Sequence, residues 1–250
     1  MAKKILVIAE GPSDRLLMKR LFQIFSGLDV CVVCFKTNIY QLYESYESYN
    51  QPYQDLDVQN VLLETRKDNL NQTEKNILRD QGYSETLLVF DFDPHDPCYD
   101  KNKIKKLMTH FDDSSNYGRL FINYPMLESF QHIDKKSYTS GQKDENFLER
   151  NFSMKDLTQY KSQVSKEGFR LSSKVSSKDS EQIRRNVAVV IKQHLDKVKM
   201  VTEASNVDQE TLIELLERQN TSVSRGTGHV INTSCLIIYD LYPSEFKDIE

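Results

Sequence analysis

The chain has 250 residues, enough for one large domain, or a compact domain with an appendage, around a sizeable core. Charged residues make up 28% and hydrophobic ones 38%, and the formal net charge is −4. That balance excludes a generally basic nucleic-acid coat but leaves room for a local stripe of Lys and Arg. No apolar run approaches the roughly 20 residues of a membrane span, and with 8 Gly and 6 Pro the chain is not of a Pro/Gly-driven disordered class.

The opening "MAKKILVIAEG" has a brief apolar run that meets Glu10 at once, so it reads as the first strand (3–11) of a cytoplasmic protein and not as a signal peptide. A helix over 13–25 follows, with Leu17, Leu21, Phe22 and Phe25 at helical spacing and Ser13 or Asp14 as its cap. The next strand, 29–36, contains Cys31 and Cys34. Residues three apart on a strand point to opposite faces, so the two read as buried structural thiols and not as a chelating pair. The four cysteines suggest no disulfide framework. "NIYQLYESYESY" reads as a short helix with Tyr40, Tyr43 and Tyr46 along it, 51–64 is ambiguous, and 66–81 reads as a polar helix. Then come a third strand, "TLLVFDFD" (86–93), a basic amphipathic helix over 101–111, and a fourth strand, 118–125, ending at Pro125.

Strands that are apolar throughout, separated by helical patterns, indicate an α/β fold: a parallel sheet with helices on both faces. In such sheets functional side chains collect at the carboxyl ends of the strands, where Glu10, Asp91, Asp93 and "NYPMLES" all fall. Beyond residue 135 the chain turns polar and rich in Ser and Lys. This divides it into a catalytic domain, 1–135, and a mainly helical C-terminal region, 136–250, packed on the first. In that region "LSSKVSSKDS" reads as an exposed linker, and helices are expected over 180–200, 206–219 (capped by Asn206) and 231–242. "SVSRGTGHV", with Arg225 and His229, is a flexible loop before the last helix.

Asp91 and Asp93 stand at i and i+2 at a strand end, a spacing that lets their carboxylates share one face and repel unless a proton or a metal ion lies between them. All-oxygen ligands favour Mg2+ or Mn2+ over zinc. The bland alternative is a solvated strand terminus, with His95 and Asp96 on the turn beyond. Glu10 is followed by Gly11, which permits a sharp turn, and by Asp14, which is either a second acid of the cluster or a helix cap.

The order of these motifs, "LVIAEGPSD" at the end of a first strand and "LLVFDFD" at the end of a later one, resembles the TOPRIM domain of topoisomerases, primases, small RNA-maturation nucleases and OLD (overcoming lysogenization defect) nucleases. The resemblance spans about residues 3–135 and implies an acid/base and metal-contacting role for Glu10 and Mg2+ ligation by Asp91 and Asp93. The second acid of "EGPSD" looks like the OLD arrangement and assigns Asp14 to metal binding. "NYPMLESF" looks like a segment of small defence-associated TOPRIM proteins and adds Glu128, whose other reading is a helix-capping acid. No topoisomerase clamp or zinc module fits, so the resemblance implies a metal-dependent nuclease acting on DNA or RNA and an effector role in antiphage defence. No G-x-x-x-x-G-K-[ST] loop occurs, so any ATPase would be a separate partner protein.

Lys101, Lys103, Lys105 and Lys106 follow the aspartate motif, and Arg184 and Arg185 lie further on. They read either as phosphate contacts or as solvated helix faces. Two rivals remain. One is a haloacid-dehalogenase-type phosphatase, which also uses D-x-D but normally opens its domain with it and has Thr or Val where His95 stands. The other is a non-catalytic TOPRIM-like scaffold subunit of a defence or nucleic-acid-processing complex.

Overall fold

A computed structural model describes residues 4–25, 30–34, 36, 38–49, 57–171, 180–247 and 249. The strands are β1 (Ile5–Ala9), β2 (Cys31–Cys34), β3 (Glu85–Asp91), β4 (Asp112–Asp113), β5 (Gly118–Tyr124), β6 (Asn151–Ser153), β7 (Thr227–His229) and β8 (Ile231–Asn232). The helices are α1 (Pro12–Phe25), α2 (Ile39–Glu47), α3 (Val58–Thr65), α4 (Gln72–Arg79), α5 (Lys101–His110), α6 (Lys135–Ser140), α7 (Tyr160–Glu167), α8 (Ser180–Thr202), α9 (Gln209–Ser224) and α10 (Leu236–Leu241).

The main sheet runs β2-β1-β3-β5-β4, with β8 also on β5, and β6 pairs with β7 in a separate two-stranded ribbon. The pairs β1–β2, β1–β3 and β3–β5 are parallel, while β4 and β8 run antiparallel to β5, so the sheet is mixed and mostly parallel. Every residue of β1 is buried, as is the interior of β3. Successive side chains point to opposite faces, so both faces of these strands are covered. The outer edge of β5 is closed by β4 at Gly118–Arg119 and by β8 at Asn123–Tyr124, which leaves little ladder open to another chain.

Local chemistry sets several element ends. Asn71 and Glu74 form a reciprocal capping box on α4, Asp100 caps α5, and Gly141 ends α6 at φ 68°, a left-handed conformation that glycine adopts without a Cβ penalty. The helix α9 is capped by Asp208, whose side chain accepts from Thr211 N, in place of Asn206. Residues 231–242 are not one helix: Ile231 and Asn232 join the sheet, and the helix begins at Leu236. The stretch 222–230 is the end of α9 followed by β7 and not a free loop. Most of the expected linker, 172–179, lies outside the described residues.

Of the cysteines, Cys34 and Cys235 are buried, Cys31 is half-buried and Cys98 is exposed, all as free thiols. One hydrophobic cluster runs from Ile5 in β1 through Leu195 in α8 to Phe246 near the C-terminus. No described helix is long and apolar enough to cross a membrane.

Candidate functional site

The carboxyl ends of β1 and β3 lie side by side because the strands are parallel and in register, with Ala9 opposite Val89. Glu10 N donates to Val89 O at 3.1 Å, and Glu10 Oε2 accepts from Asp91 N at 3.1 Å. The chain then turns directly into α1, where Gly11 N donates to Asp14 Oδ2 at 3.1 Å. Asp14 therefore caps its helix with one oxygen, while the other, Oδ1, is sealed from solvent with no hydrogen-bond partner. On the far side, Asn123 of β5 pairs in register with Asp91. Beyond it, Glu128 sits in a 3-10 turn, Leu127–Gln131, and forms an ion pair with Lys161 of α7 at 2.5 Å.

Asp93 departs from the expected arrangement. The strand stops at Asp91, Phe92 turns inward to full burial, and Asp93 takes φ 33°, in the left-handed region that Asp tolerates better than most residues. Asp91 and Asp93 therefore do not present their carboxylates from one strand face. Asp93 instead faces the charge of Asp96, while Asp91 faces Glu10, Asp14 and Glu128. Asp96 accepts from Asn38 Nδ2 at 2.5 Å and from Cys98 N at 2.7 Å, which fixes the turn; His95 is exposed.

The electrostatics follow from crowding acids into a poorly solvated place. Burial pushes Glu10 up to about 8, opposed by the Asp91 amide and reinforced by the charges of Asp14, Asp93 and Asp96. Burial likewise raises Asp14 to about 6, against backbone hydrogen bonds and with Glu128 adding repulsion. Asp91 is driven well above the carboxylate range by burial and then by Asp14, Glu10 and Glu128, with the Asn123 side chain beside it working the other way. It keeps some solvent contact as a residue, but its Oδ1 is sealed and has no hydrogen-bond partner. Asp93 is raised by burial and by Asp96.

The donor set is all oxygen, which suits a hard divalent cation, and the two sealed, unpartnered oxygens are what such an ion would satisfy. Among the described residues, no three His, Cys, Asp or Glu side chains are gathered closely enough to hold an ion in the present arrangement. The chain matches no family model, no curated protein and no solved structure. The chemistry of this site therefore rests on its own geometry.

The basic residues expected to meet phosphate are mostly engaged elsewhere. Lys103 pairs with Glu44 at 2.6 Å and Lys105 with Glu217 at 2.9 Å, while Lys106 meets Tyr43 Oη at 3.0 Å and Glu47 at 3.8 Å. Arg184 donates to Ile24 O at 3.0 Å and lies 3.6 Å from Glu245; Lys101 and Arg185 are exposed. The cavity of about 800 Å3 beside Lys105 and Lys106 is lined by His110 and Tyr117 and contains none of the five candidate carboxylates. Asn123, which also borders the site, heads "NYPMLESF", in which the sequence singled out only Glu128. Lys161 carries no local motif; only the long-range packing of α7 brings it there.

Proposed function

We propose that this chain is a metal-dependent nuclease with a TOPRIM-like fold that hydrolyses phosphodiester bonds of DNA or RNA. The observation that carries the reading is the placement of Glu10 and Asp91 at the ends of adjacent parallel strands with Asp14 at the start of α1, close enough to raise one another's proton affinities, and with two sealed oxygens lacking partners. The strand order β2-β1-β3-β5, with the glutamate after β1 and the aspartate closing β3, supports the TOPRIM-like assignment.

Glu10, Asp14 and Asp91 would hold Mg2+ or Mn2+, with Asp93 and Glu128 at the flanks. When bound, such an ion supplies Lewis acidity toward a phosphodiester. Without an ion, burial pushes Glu10 up to about 8; holding the ion it would be ionised and could accept a proton from attacking water. Lys161 offsets the charge of Glu128 at the edge of the site. A role in antiphage defence, gated by a separate ATPase partner, rests on the likeness of the motifs to small defence-associated TOPRIM proteins.

The test is incubation of the purified full chain with labelled single- and double-stranded DNA and RNA, with Mg2+, Mn2+ or a chelator. Cleavage is expected to need the ion and to fall at least about 100-fold in Glu10→Gln and in Asp91→Asn. A wild type that cleaves nothing even with the products of neighbouring genes present, or variants that cleave as well as wild type, would sink the reading. A second reading, a binding subunit with an inactive acidic site, is favoured by one observation: the described acids do not form a group of three close enough to hold an ion.

A further inference from the structure

Asn123 lies in β5 at the level of Asp91 in β3, and the two strands are parallel. Side chains at one level of neighbouring parallel strands leave the same face of the sheet, with the backbones about 4.8 Å apart. The amide and the carboxyl therefore stand side by side. Asn123 is fully buried, and its Oδ1 accepts from Ser234 N at 3.3 Å. That bond fixes which way the amide points, because the flipped group would set one donor against another.

Nδ2 is thereby turned away from Ser234. It is sealed from solvent with no hydrogen-bond partner, and so is Asp91 Oδ1. An idle donor and an idle acceptor buried beside each other are costly unless they serve one another or a ligand. The Asn123 side chain already eases the charge of Asp91 in the way a donor does.

The support for this amide comes from far along the chain. Asn232 Oδ1 accepts from Ser234 Oγ and Cys235 N, and Thr233 Oγ1 donates to Ile122 O, so the turn that carries Ser234 N is tied both to itself and to β5. Asn232 Nδ2 also donates to Leu127 O, next to Glu128. One buried turn, 232–235, thus braces the chain behind two of the candidate carboxylates.

We propose that Asn123 is a positioning residue: its amide, locked by the 232–235 turn, holds the Asp91 carboxylate in the orientation that receives a divalent ion. The proposal rests on the metal site of the nuclease reading. A carboxylate has lone pairs for both an amide donor and an ion, and ligating carboxylates are commonly held by such outer hydrogen bonds. Asn123 itself touches neither ion nor substrate.

The test is calorimetric titration of the full chain with Mn2+ alone, without nucleic acid. Asn123→Leu, which fills the space but carries no donor, should weaken Mn2+ binding about tenfold, at the lower end of the effect of losing an outer-shell partner. Asn123→Ser keeps a donor on a shorter arm and should fall between Asn123→Leu and wild type; it also serves if the leucine variant does not fold. Thr233→Val is the control for a merely structural role. It removes the bond to Ile122 O and touches no carboxylate, so it should lower the thermal midpoint and leave Mn2+ affinity unchanged. Wild-type affinity in Asn123→Leu or Asn123→Ser, an equal loss in Thr233→Val, or no Mn2+ binding by wild type overturns the proposal. Asn123-dependent binding by a chain that cleaves no nucleic acid would leave the positioning role standing and remove the nuclease. Metal-dependent cleavage that keeps its wild-type Mn2+ dependence in Asn123→Leu would do the reverse.

Discussion

Glu10 holds its proton up to about pH 8 when folded, against an ordinary value of 4.5. Between those limits the folded chain binds a proton that the unfolded chain has lost, so this group's contribution to stability falls as pH rises through the window. Asp14 adds the same sign between 3.8 and about 6. Other buried groups work the opposite way: burial lowers His194 to about 3 and Lys197 to about 7, and both favour folding as pH rises. The raw pH profile therefore mixes signs, and the informative quantity is the difference between wild type and Glu10→Gln. The glutamine can still accept from Asp91 N but carries no titrating proton. Its advantage in thermal midpoint over metal-free wild type should grow from pH 4.5 to about 8. Millimolar Mg2+ should raise wild type most at the upper end, where the carboxylates are free to bind it, and should raise Glu10→Gln less. Calorimetry across the window checks this; a constant difference between the two proteins, or an equal Mg2+ effect at both ends, contradicts it.

Among the elements, β8 shows most sharply what periodicity can and cannot reveal. The apolar strands β1 and β3 were legible because an unbroken run of Ile, Leu, Val and Phe ending in acid has few other solutions. The run "INTSCLIIYDLY" reads as a helix because short apolar segments look alike in either state. What decides it is Asn232, which is fully buried. Its Oδ1 accepts from Ser234 Oγ and Cys235 N, each at 3.0 Å, its Nδ2 donates to Leu127 O at 3.3 Å, and its backbone N donates to His194 Nδ1 at 3.1 Å. Ser234 and Cys235 are two and three residues on, but His194 and Leu127 are 38 and 105 residues away and leave no local signature. The same holds for the lysines of α5, whose counter-charges Glu44 and Glu217 come from distant helices, and for Asp93, whose positive φ no alternation pattern announces. Asn232→Ala strands two buried donors and a carbonyl, so unfolding in urea should show a loss of about 1–3 kcal/mol with the slope unchanged. A midpoint equal to wild type would show that the network is not what holds β8 on the sheet.

For the whole molecule, the question is whether the polar shift near residue 135 marks two folding units. Composition changes there, but the contacts that complete the sheet and the core cross it. Beyond that point the chain supplies β8 to the edge of β5, Thr233 Oγ1 to Ile122 O at 2.8 Å, and Ser234 N to Asn123 Oδ1 at 3.3 Å. It also supplies α8, whose Val187, Val190, Ile191, Leu195 and Val198 are buried at helical spacing; the helix packs on α1, α6, α9, α10 and β8. Removing residues 136–250 would strip α1 of its outer cover, reopen the β5 edge beside Asn123 and take Lys161 from Glu128. A fragment of residues 1–135 should therefore keep helical far-ultraviolet dichroism yet lose near-ultraviolet structure and cooperative unfolding, since secondary structure can outlast specific packing. It should also lose Mg2+-dependent stabilisation, because the β5 edge that holds Asn123 opposite Asp91 is no longer fixed. A fragment that unfolds cooperatively with a native-like near-ultraviolet spectrum would show that the two stretches fold independently and that the carboxylates need nothing from the C-terminal helices.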